Sequence, residues 1–504
     1  MNSNIFVISY KKTTMKKLNR TKTSLKLFGL AIITIAPFYK SYAQNKKPNV
    51  IIILADDFGY GSLNSYGADK KLVRTPHIDG LAETGMRFTH AHTPASVSSP
   101  TRYSLITGSY PWRSSLKNGV VSSDEPLLPD PEKQTIADLL KEQSYNTAAI
   151  GKWHLGYGDK EPCDFTGKLT PGPLDLGFDY HFGIPNNNDD SWGVYVENDE
   201  IYGLKSKQIH PFSRTTYGPQ YRGFDAPQRE NKNVMGEITT RAEDWLKRQS
   251  PEKPFFLYFA PVAVHEPIIP SDYMRGVSNC GPYGDFIQDL DLSVGRIIDI
   301  LKYLNLYDNT IIIFSSDNGG VAGFKKDSEQ NQAIKYGLKI NGDLKGGKHS
   351  IFEGGTNVPF IVSWPRNIEP GAVSDDLVNM ADIFATVAEI TGKGLSDNKT
   401  IAPDSYSFLP SLLKKENRNP RTTMVTADSK GMHAIRKGDW KLIDNTPPFQ
   451  FSEKIMSEYK KEKPLLYNLK DDPSEHKNLF DNQPEIVKEL MDELNKIRNT
   501  SSSR

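Results

Sequence analysis

Two acidic motifs follow apolar segments of the kind that form buried strands. Asp56-Asp57 comes directly after the apolar run Asn49–Ala55, and Asp317-Asn318 follows Thr310–Phe314. Active sites of open α/β sheets form at the carboxyl ends of the strands, so these side chains are expected to meet. Three carboxylates and an amide oxygen are hard ligands that suit calcium or magnesium. Each motif alone is also typical of a helix cap or a Gly-rich turn, but the two together favour a metal site.

A serine-rich segment supplies a candidate nucleophile. In Ser98-Ser99-Pro100-Thr101-Arg102, the proline suits the first turn of a helix. Ser98 is therefore expected at the N-terminus of a helix or just before it, where backbone N–H groups favour a negatively charged oxygen. The same residues are also compatible with an ordinary helix start.

Cations and proton-transfer groups lie in loops that follow other predicted strands. Lys152 and His154 come after the predicted strand Asn146–Ile150. His265 ends an apolar run, and Lys348 lies in a Gly-rich loop. Alone, each is typical of a surface charge or a structural histidine. Together they have the chemistry of a clamp for a tetrahedral dianion.

The elements that must position these residues alternate between strands and helices. This alternation predicts a mostly parallel sheet between two layers of helices, in an α/β domain of residues 44–415. A small α+β domain with an antiparallel sheet is expected over residues 416–504. The predicted strands of the large domain are Asn49–Ala55, Asn146–Ile150, Phe255–Ala263, Thr310–Phe314 and Val358–Val362, and its helices are Gln134–Glu142, Val234–Arg248, Asp285–Leu304 and Met380–Thr391. The small domain is predicted to contain strands in His433–Ile443 and Pro464–Leu469, and the closing helix Pro484–Arg498.

Composition and the N-terminus indicate an exported globular protein. The 504 residues carry a formal charge of +1, so no overall field favours nucleic acid. A basic stretch from Met15, the short apolar run Leu27–Phe38 and Ser41-Tyr42-Ala43 are typical of a signal peptide over residues 1–43. Met15 is then a possible true start, and an uncleaved anchor is the alternative. The mature chain is expected to lack a membrane span and a lipoprotein cysteine, which implies a periplasmic or secreted protein.

The two cysteines leave one question open. Cys163 and Cys280 are the only ones in the chain, and they form no metal-binding spacing. In an oxidising compartment they could pair, but two free buried thiols fit the sequence equally well.

The segment Ser98–Gly108 (SSPTRYSLITG) resembles the maturation signature of formylglycine-dependent sulfatases. Further blocks similar to that family occur in order: LADDFGYGS, TPHIDGLA, GKWHLG, SSDNGG, GGK, FEGG, VPFIVSWP, IRKGDWKLI and LYNLKDDPSE. They extend from Asn49 to about Leu479. The resemblance implies an alkaline-phosphatase-like fold and the hydrolysis of sulfate esters, and carbohydrate esters are favoured.

The same resemblance implies a role for each candidate residue. Ser98 would be oxidised to formylglycine, whose hydrated form can release sulfate by re-forming its aldehyde. One calcium ion would be held by Asp56, Asp57, Ser98, Asp317 and Asn318. Arg102 would hold the diol, and Lys152 and Lys348 would bind sulfate oxygens. His154 would accept a proton, and His265 would protonate the leaving alcohol. A serine rather than a cysteine at this position implies a radical-SAM maturating enzyme that acts before export.

The sugar pocket is less well specified. A sulfated galactose or N-acetylgalactosamine unit of host or algal glycans is favoured. The candidate contacts are His181, Asn188, Asp189, Asp190, His349 and His433, which are equally compatible with solvated loops. His349 stands where glycine is frequent in the family.

Two other classes of protein remain open at this point. A phosphatase or phosphonate hydrolase with unmodified Ser98 would share much of the fold, but it usually binds two zinc ions through more histidine and aspartate ligands than these motifs offer. A non-catalytic protein that binds sulfated glycans is the second alternative. The position of the sulfate, exo or endo action and the oligomeric state are not determined by the sequence.

Overall fold

The strand Asn49–Ala55 lies inside a ten-stranded sheet, as its continuous apolar run predicts. Its residues alternate between two hydrophobic cores: Val50, Ile52 and Leu54 belong to one, while Ile51 and Ile53 belong to the other. Side chains of a strand point alternately to opposite faces, so both faces of this sheet are covered. The predicted three-layer arrangement is confirmed.

The computed structural model describes residues 47–504 except 191–192, 206–209, 216–217, 223–225, 324, 396–398, 416–420, 450–455 and 458–462. Residues 47–504 form one compact unit. The predicted signal peptide lies outside the described residues, and so does the start of the predicted small domain at residue 416. Both stay predictions.

The strands and helices alternate along most of the chain. The strands are β1 (Asn49–Ala55), β2 (Met86–His92), β3 (Asn146–Lys152), β4 (Tyr180–Ile184), β5 (Val196–Glu197), β6 (Glu200–Ile201), β7 (His210–Thr215), β8 (Gly218–Arg222), β9 (Phe255–Ala260), β10 (Thr310–Ser316), β11 (Phe360–Ser363), β12 (Ala372–Asn379), β13 (Thr423–Ala427), β14 (His433–Lys437), β15 (Trp440–Asp444) and β16 (Leu465–Asn468). The helices are α1 (Pro76–Glu83), α2 (Ser98–Thr107), α3 (Ile136–Lys141), α4 (Val234–Leu246), α5 (Pro282–Tyr303), α6 (Glu329–Lys335), α7 (Glu353–Thr356), α8 (Asp382–Ile390), α9 (Leu409–Leu412) and α10 (Pro484–Asn499).

The large sheet is mixed and mostly parallel. Its order is β12-β2-β11-β10-β1-β9-β3-β4-β5-β6. The central strands β10, β1, β9, β3 and β4 are parallel to one another. β11 is antiparallel to both β10 and β2. The parallel centre brings the carboxyl ends of β1, β3, β9 and β10 to one edge, where the predicted site residues follow.

A separate antiparallel sheet, in the order β13-β14-β15-β16, forms the C-terminal part. Helix α10 packs on it: Leu490 and Leu494 belong to the same hydrophobic core as Ile435, Leu442 and Leu466. The predicted antiparallel sheet and closing helix are confirmed. Its first strand, β13, had no clear signal in the sequence.

The boundaries of several predicted elements need correction. The strand predicted over Phe255–Ala263 ends at Ala260, and the strand predicted over Val358–Val362 covers Phe360–Ser363. Beyond Ala260 the backbone leaves the sheet: the N–H of Asp56 donates to the carbonyl of Ala263 at 3.0 Å. Apolar character therefore continues beyond the hydrogen-bonded strand, because these residues remain buried in the loop.

Cys163 and Cys280 are both buried and both free, so they do not pair. No helix in the described part of the chain is long and apolar enough to cross a membrane.

Candidate active site

Parallel pairing of β1 and β10 brings the two acidic motifs into direct contact. Ala55 is in register with Ser316, so the residues that follow them are neighbours. The N–H of Asp57 donates to Asp317 Oδ1 at 3.1 Å, and Asn318 Nδ2 donates to Asp57 Oδ1 at 2.8 Å. Asp57 has a φ of +57°, a left-handed conformation that turns the chain sharply at the end of the strand.

Each of the three carboxylates in this cluster forms a close ion pair with a cation, and Asp56 Oδ1 also lies 3.7 Å from Arg102 Nη2. Lys152 Nζ lies 2.7 Å from Asp56 Oδ2, and Lys348 Nζ lies 2.8 Å from Asp57 Oδ2. Arg102 donates to Asp317 Oδ2 through Nη2 at 2.7 Å and through Nε at 3.1 Å. All six side chains are at most 10% exposed, and the three positive and three negative charges offset one another. Paired charges can be buried where single ones cannot.

Asp56 and Asp57 stay ionised despite their burial. Burial alone would raise the pKa of Asp56, but Lys152 and His265 outweigh it and lower that pKa. For Asp57, burial is likewise outweighed by Lys348 and His265, and its pKa is also lowered. The cluster therefore presents acceptor oxygens at neutral pH.

These oxygens fit a divalent cation. Asp56 Oδ1 is fully buried without a hydrogen-bond partner. Asp56, Asp57 and His265 each place one ligand atom within 4.8 Å of the other two. The ligand atoms that Asp56, Asp57, Asp317 and Asn318 offer to a metal are oxygen atoms, which favours a hard ion. His265 as a possible ligand was not expected from the sequence.

Ser98 is the first residue of α2 and its side chain is buried. Its Oγ lies 3.5 Å from Asn318 Oδ1, which places it against the acidic cluster. The first N–H groups of a helix have no intrahelical partner, so the N-terminus of α2 favours an anion here. Arg102 follows one turn later on the same side of the helix, as the spacing of four residues requires. The predicted helix start is confirmed.

The two catalytic histidine candidates differ in their environment. Both ring nitrogens of His154 are buried without a partner. Burial, Lys152 and Arg102 hold the pKa of His154 well below its usual value, so the ring is neutral. In His265, Nδ1 lies 2.5 Å from the carbonyl oxygen of Glu266, and Nε2 lies 3.7 Å from Asp57 Oδ2. Burial and Lys348 lower the pKa of His265 against the opposing effect of Asp57.

Two other predicted contacts are occupied by the protein itself. His181 lies in β4, with Nδ1 3.0 Å from the carbonyl oxygen of Ala149 and Nε2 3.0 Å from the hydroxyl of Tyr157. His433 accepts a hydrogen bond from Arg498 Nε at 3.0 Å. Its ring packs on Trp112 with the centroids 4.4 Å apart. Both histidines are 1% exposed, so we leave both out of the sugar pocket.

The loop after β4 contains three further sugar candidates and borders the site. The N–H of His154 donates to the carbonyl of Pro185 at 3.0 Å. In this loop Asn188 is buried with an unpartnered Oδ1, whereas Asp189 is exposed. Asp190 forms a buried ion pair with Arg229 at 2.9 Å, so it shapes the loop. Asn188 and Asp189 are therefore better placed than Asp190 to contact a sugar.

His349 lies next to Lys348 and has a φ of +73°, a conformation that glycine adopts without strain. Its side chain is exposed, and its backbone N–H donates to the carbonyl of Ser96 at 2.9 Å. It therefore stands at the rim of the charged cluster.

Sequence reasoning missed three residues that support the site. Tyr258 places its hydroxyl 3.4 Å from Arg102 Nη1, and Arg229 holds the loop after β4. Glu353 anchors the segment that contains Lys348, as described below. The sequence gives a weak signal for Tyr258, a polar tip inside the apolar run FFLYFA. It gives none for the other two, whose partners are distant in the chain.

Comparisons with known proteins agree with this geometry. The sulfatase family profile matches residues 48–393, and a profile described as N-sulphoglucosamine sulphohydrolase, C-terminal, matches residues 347–500. The chain is 36% identical to an N-acetylgalactosamine-6-O-sulfatase of Bacteroides thetaiotaomicron, over 93% of this chain and 97% of that protein. It is 32% identical to human N-acetylgalactosamine-6-sulfatase, over 73% of this chain and 66% of that protein.

A solved structure from work on glycosaminoglycan metabolism by Bacteroides thetaiotaomicron is also similar. It superposes with a TM-score of 0.81 at 35% identity, covering 90% of this chain and all of that one.

Proposed function

Since this chain belongs to the sulfatase family and hydrolyses sulfate esters, we propose that its substrate is the 6-O-sulfate of an N-acetylgalactosamine unit in a glycan. The observation that carries this proposal is the similarity to the N-acetylgalactosamine-6-O-sulfatase over nearly the full length of both chains. The acidic and basic cluster around Ser98 supports the sulfate part of the assignment. Asn188, Asp189 and His349 are the proposed contacts with the sugar.

We propose that Ser98 is converted to formylglycine. Its hydrate supplies a geminal diol, whose second hydroxyl lets sulfate leave without a stable ester remaining on the chain. The N-terminus of α2 and the guanidinium of Arg102 favour negative charge at this position. Because Ser98 is only 1% exposed, its oxidation by a radical-SAM enzyme is expected before folding and export. The proposed signal peptide, residues 1–43, would direct the chain to the periplasm or outside the cell.

The remaining residues of the cluster either bind sulfate or transfer a proton. Lys152 and Lys348 supply the positive charge for sulfate oxygens. His265 in its protonated form would donate the Nε2 proton to the leaving oxygen, because its Nδ1–H donates to the carbonyl of Glu266. His154 accepts a proton afterwards, since its neutral ring has both nitrogens without a partner.

A calcium ion fits the acidic cluster. Asp56, Asp57, Asp317 and Asn318, together with residue 98, would hold it. When bound, it supplies Lewis-acid polarisation of a sulfate oxygen. In the described part of the chain, the one group of acidic and histidine ligands within mutual reach is Asp56, Asp57 and His265. The oxygen ligands of Asp56, Asp57, Asp317 and Asn318 favour a hard ion over zinc, which disfavours the phosphatase alternative.

A panel of defined sulfated sugars tests the substrate. We expect the matured enzyme to act on N-acetylgalactosamine 6-sulfate with a kcat/KM at least about 10²-fold above that for the 4-sulfate, because a displaced sulfate cannot reach the charged cluster in the same pose. Galactose 6-sulfate, which lacks the acetamido group, is the matched comparison. Preference for the 4-sulfate, or for a glucosamine sulfate, would contradict the proposal while leaving the sulfatase activity intact.

The role of His265 can be separated from that of His154. We expect His265→Ala to lower kcat/KM for a sugar sulfate by about 10²–10⁴-fold, because an alkoxide leaves poorly without a proton. The loss on an activated aryl sulfate should be much smaller, since its phenolate leaves unaided. His154→Ala is the matched variant: it should lower kcat for both substrates to a common value after a burst of released alcohol, because His154 acts after the alcohol has departed. Equal losses on both substrates for His265→Ala would leave that residue as a sulfate ligand only.

A further inference from the structure

A buried network of charges connects the C-terminal sheet to the large sheet through Glu353. Glu353 Oε2 lies 2.7 Å from Nε2 of His92, the last residue of β2. Its Oε1 lies 2.9 Å from Lys441 Nζ in β15, and Oε2 lies 3.4 Å from Arg436 Nη1 in β14. Glu475, after β16, completes the network: its Oε1 lies 2.9 Å from Lys441 Nζ, and its Oε2 accepts the N–H of Glu353 at 2.7 Å.

This network lies in the protein interior, and the carboxylate at its centre, Glu353, is ionised, although burial raises the pKa of Glu475. The side chains of Glu353, Lys441 and Glu475 are 5%, 2% and 0% exposed. Burial by itself would raise the pKa of Glu353, but Lys441, His92 and Arg436 outweigh it and hold that pKa well below its usual value. Breaking such a buried pair on one side leaves an uncompensated charge, so each partner strongly restrains the other.

Glu353 begins α7, and α7 packs backbone-to-backbone against the residues of the active site. The N–H of Gly319, which follows Asn318, donates to the carbonyl of Gly355 at 2.9 Å. A Cβ at Gly319 would lie 1.8 Å from the carbonyl oxygen of Gly354. The position of α7 therefore determines where the backbone after Asn318 can lie.

The same helix restrains the loop that contains Lys348. The N–H of Gly354 donates to the carbonyl of Lys345 at 2.8 Å, and the N–H of Lys348 donates to the carbonyl of Gly320 at 3.1 Å. A Cβ at Gly355 would lie 2.0 Å from the carbonyl oxygen of Ser350. Lys345 Nζ also donates to the carbonyl of Glu475 at 3.0 Å, so the C-terminal part contacts this loop directly.

From these contacts we infer that Lys441 is a positioning residue for the sulfatase reaction: from the C-terminal sheet, it holds Glu353 and α7 so that Lys348 is presented to the sulfate. Lys441 itself does not touch the acidic cluster; it acts through α7 and the Lys345–Ser350 loop. The inference rests on the proposed role of Lys348. It makes the C-terminal sheet a functional part of the active site.

The test compares Lys441→Met with Arg498→Met. Arg498 is matched because its Nη1 forms another ion pair with the C-terminal sheet, 2.7 Å from Asp444 Oδ2, without touching α7 or its loop. We expect Lys441→Met to raise the KM for a sulfated monosaccharide and the Ki of inorganic sulfate by about 10-fold, the scale of a weakened hydrogen bond to a charged group. Arg498→Met should lower Tm but leave both constants within about twofold of the wild-type values, because distant sites are independent. Lys441→Arg should restore part of the sulfate affinity.

A double-mutant cycle tests whether Lys441 affects sulfate binding through Lys348. In a Lys348→Ala background, Lys441→Met should weaken sulfate binding no further, because residues that act through one another are not additive. If Lys441→Met does not fold, Lys441→Met/Glu475→Gln removes one charge of each sign from the network and should show the same rise in Ki.

A Ki for sulfate that is unchanged in folded Lys441→Met, with a lowered Tm, would overturn the inference and leave Lys441 as a stabilising residue. A full additional loss in the double variant would also overturn it. If Lys348→Ala itself leaves the Ki unchanged, the proposed role of Lys348 fails first, and this inference fails with it.

Discussion

Ser98→Ala is expected to lower kcat by about 10⁵-fold or more, the scale seen when a nucleophile is removed from a preorganised site. An alanine cannot become formylglycine, so the position at the N-terminus of α2 loses the only oxygen that could attack sulfur. The substrate should still bind, because Lys152 and Lys348 are unchanged. Steady-state kinetics after co-expression with a serine-type maturase, together with binding of inorganic sulfate, measure the two effects separately.

Ser104→Ala is the matched control for this variant. Ser104 lies in the same helix, and its buried Oγ has no hydrogen-bond partner, so its loss should change kcat little. Mass spectrometry of the wild-type peptide that contains residue 98 should show a mass lower by two hydrogen atoms. Full activity from chains with unmodified Ser98 would contradict the formylglycine mechanism and favour a direct serine nucleophile.

Asp317→Asn should have the second-largest effect, a loss in kcat/KM of about 10³-fold or more, equivalent to at least about 4 kcal/mol. The side chain keeps its size but loses the charge that both a divalent ion and Arg102 require. Its Oδ2 accepts two hydrogen bonds from Arg102, and its Oδ1 accepts the N–H of Asp57. Metal analysis should find one calcium ion per wild-type chain and substantially less in the variant.

Asp382→Asn controls for the general cost of neutralising a buried aspartate. Asp382 also pairs with an arginine, Arg421, and both side chains are 2% exposed. It should therefore lower Tm without changing calcium content or kcat/KM at a temperature where the chain is folded. Two tightly bound zinc ions in the wild-type chain would contradict the calcium assignment and favour the phosphatase alternative.

Much of the fold follows from local sequence patterns. The continuous apolar run of β1 predicts a strand covered on both faces, and the structure has it with the same boundaries. The acidic motifs after β1 and β10 could be predicted to meet, because the carboxyl ends of parallel strands in one sheet point the same way. Ser98 and Arg102 could be placed on one side of a helix for the same kind of reason, a fixed number of residues per turn. Such inferences rest on short segments of the sequence and on the regular geometry of strands and helices.

Other features were decided by the tertiary structure alone. From the sequence, His181 and His433 look as free to bind a ligand as His154. In the fold, the ring nitrogens of His181 face Ala149 and Tyr157, and His433 is held by Arg498, whereas the ring of His154 keeps both nitrogens without a partner. Which nitrogens are occupied depends on side chains that are far away in the sequence, and no local pattern encodes them.

The ion pairs of Glu353 also depend on the tertiary structure. In the sequence Glu353 is one acidic residue in a Gly-rich segment, and nothing near it identifies its partners. Its carboxylate is held by His92, 261 positions earlier, and by Lys441, 88 positions later. A buried charge is tolerated only where opposite charges converge on it from several elements, and that convergence exists only after the two sheets have packed. The sequence by itself determined the family, the hydrolysis of sulfate esters and the strand ends at which the acidic motifs lie. The packing of the two sheets decided which charges are paired and how the loop of Lys348 is held.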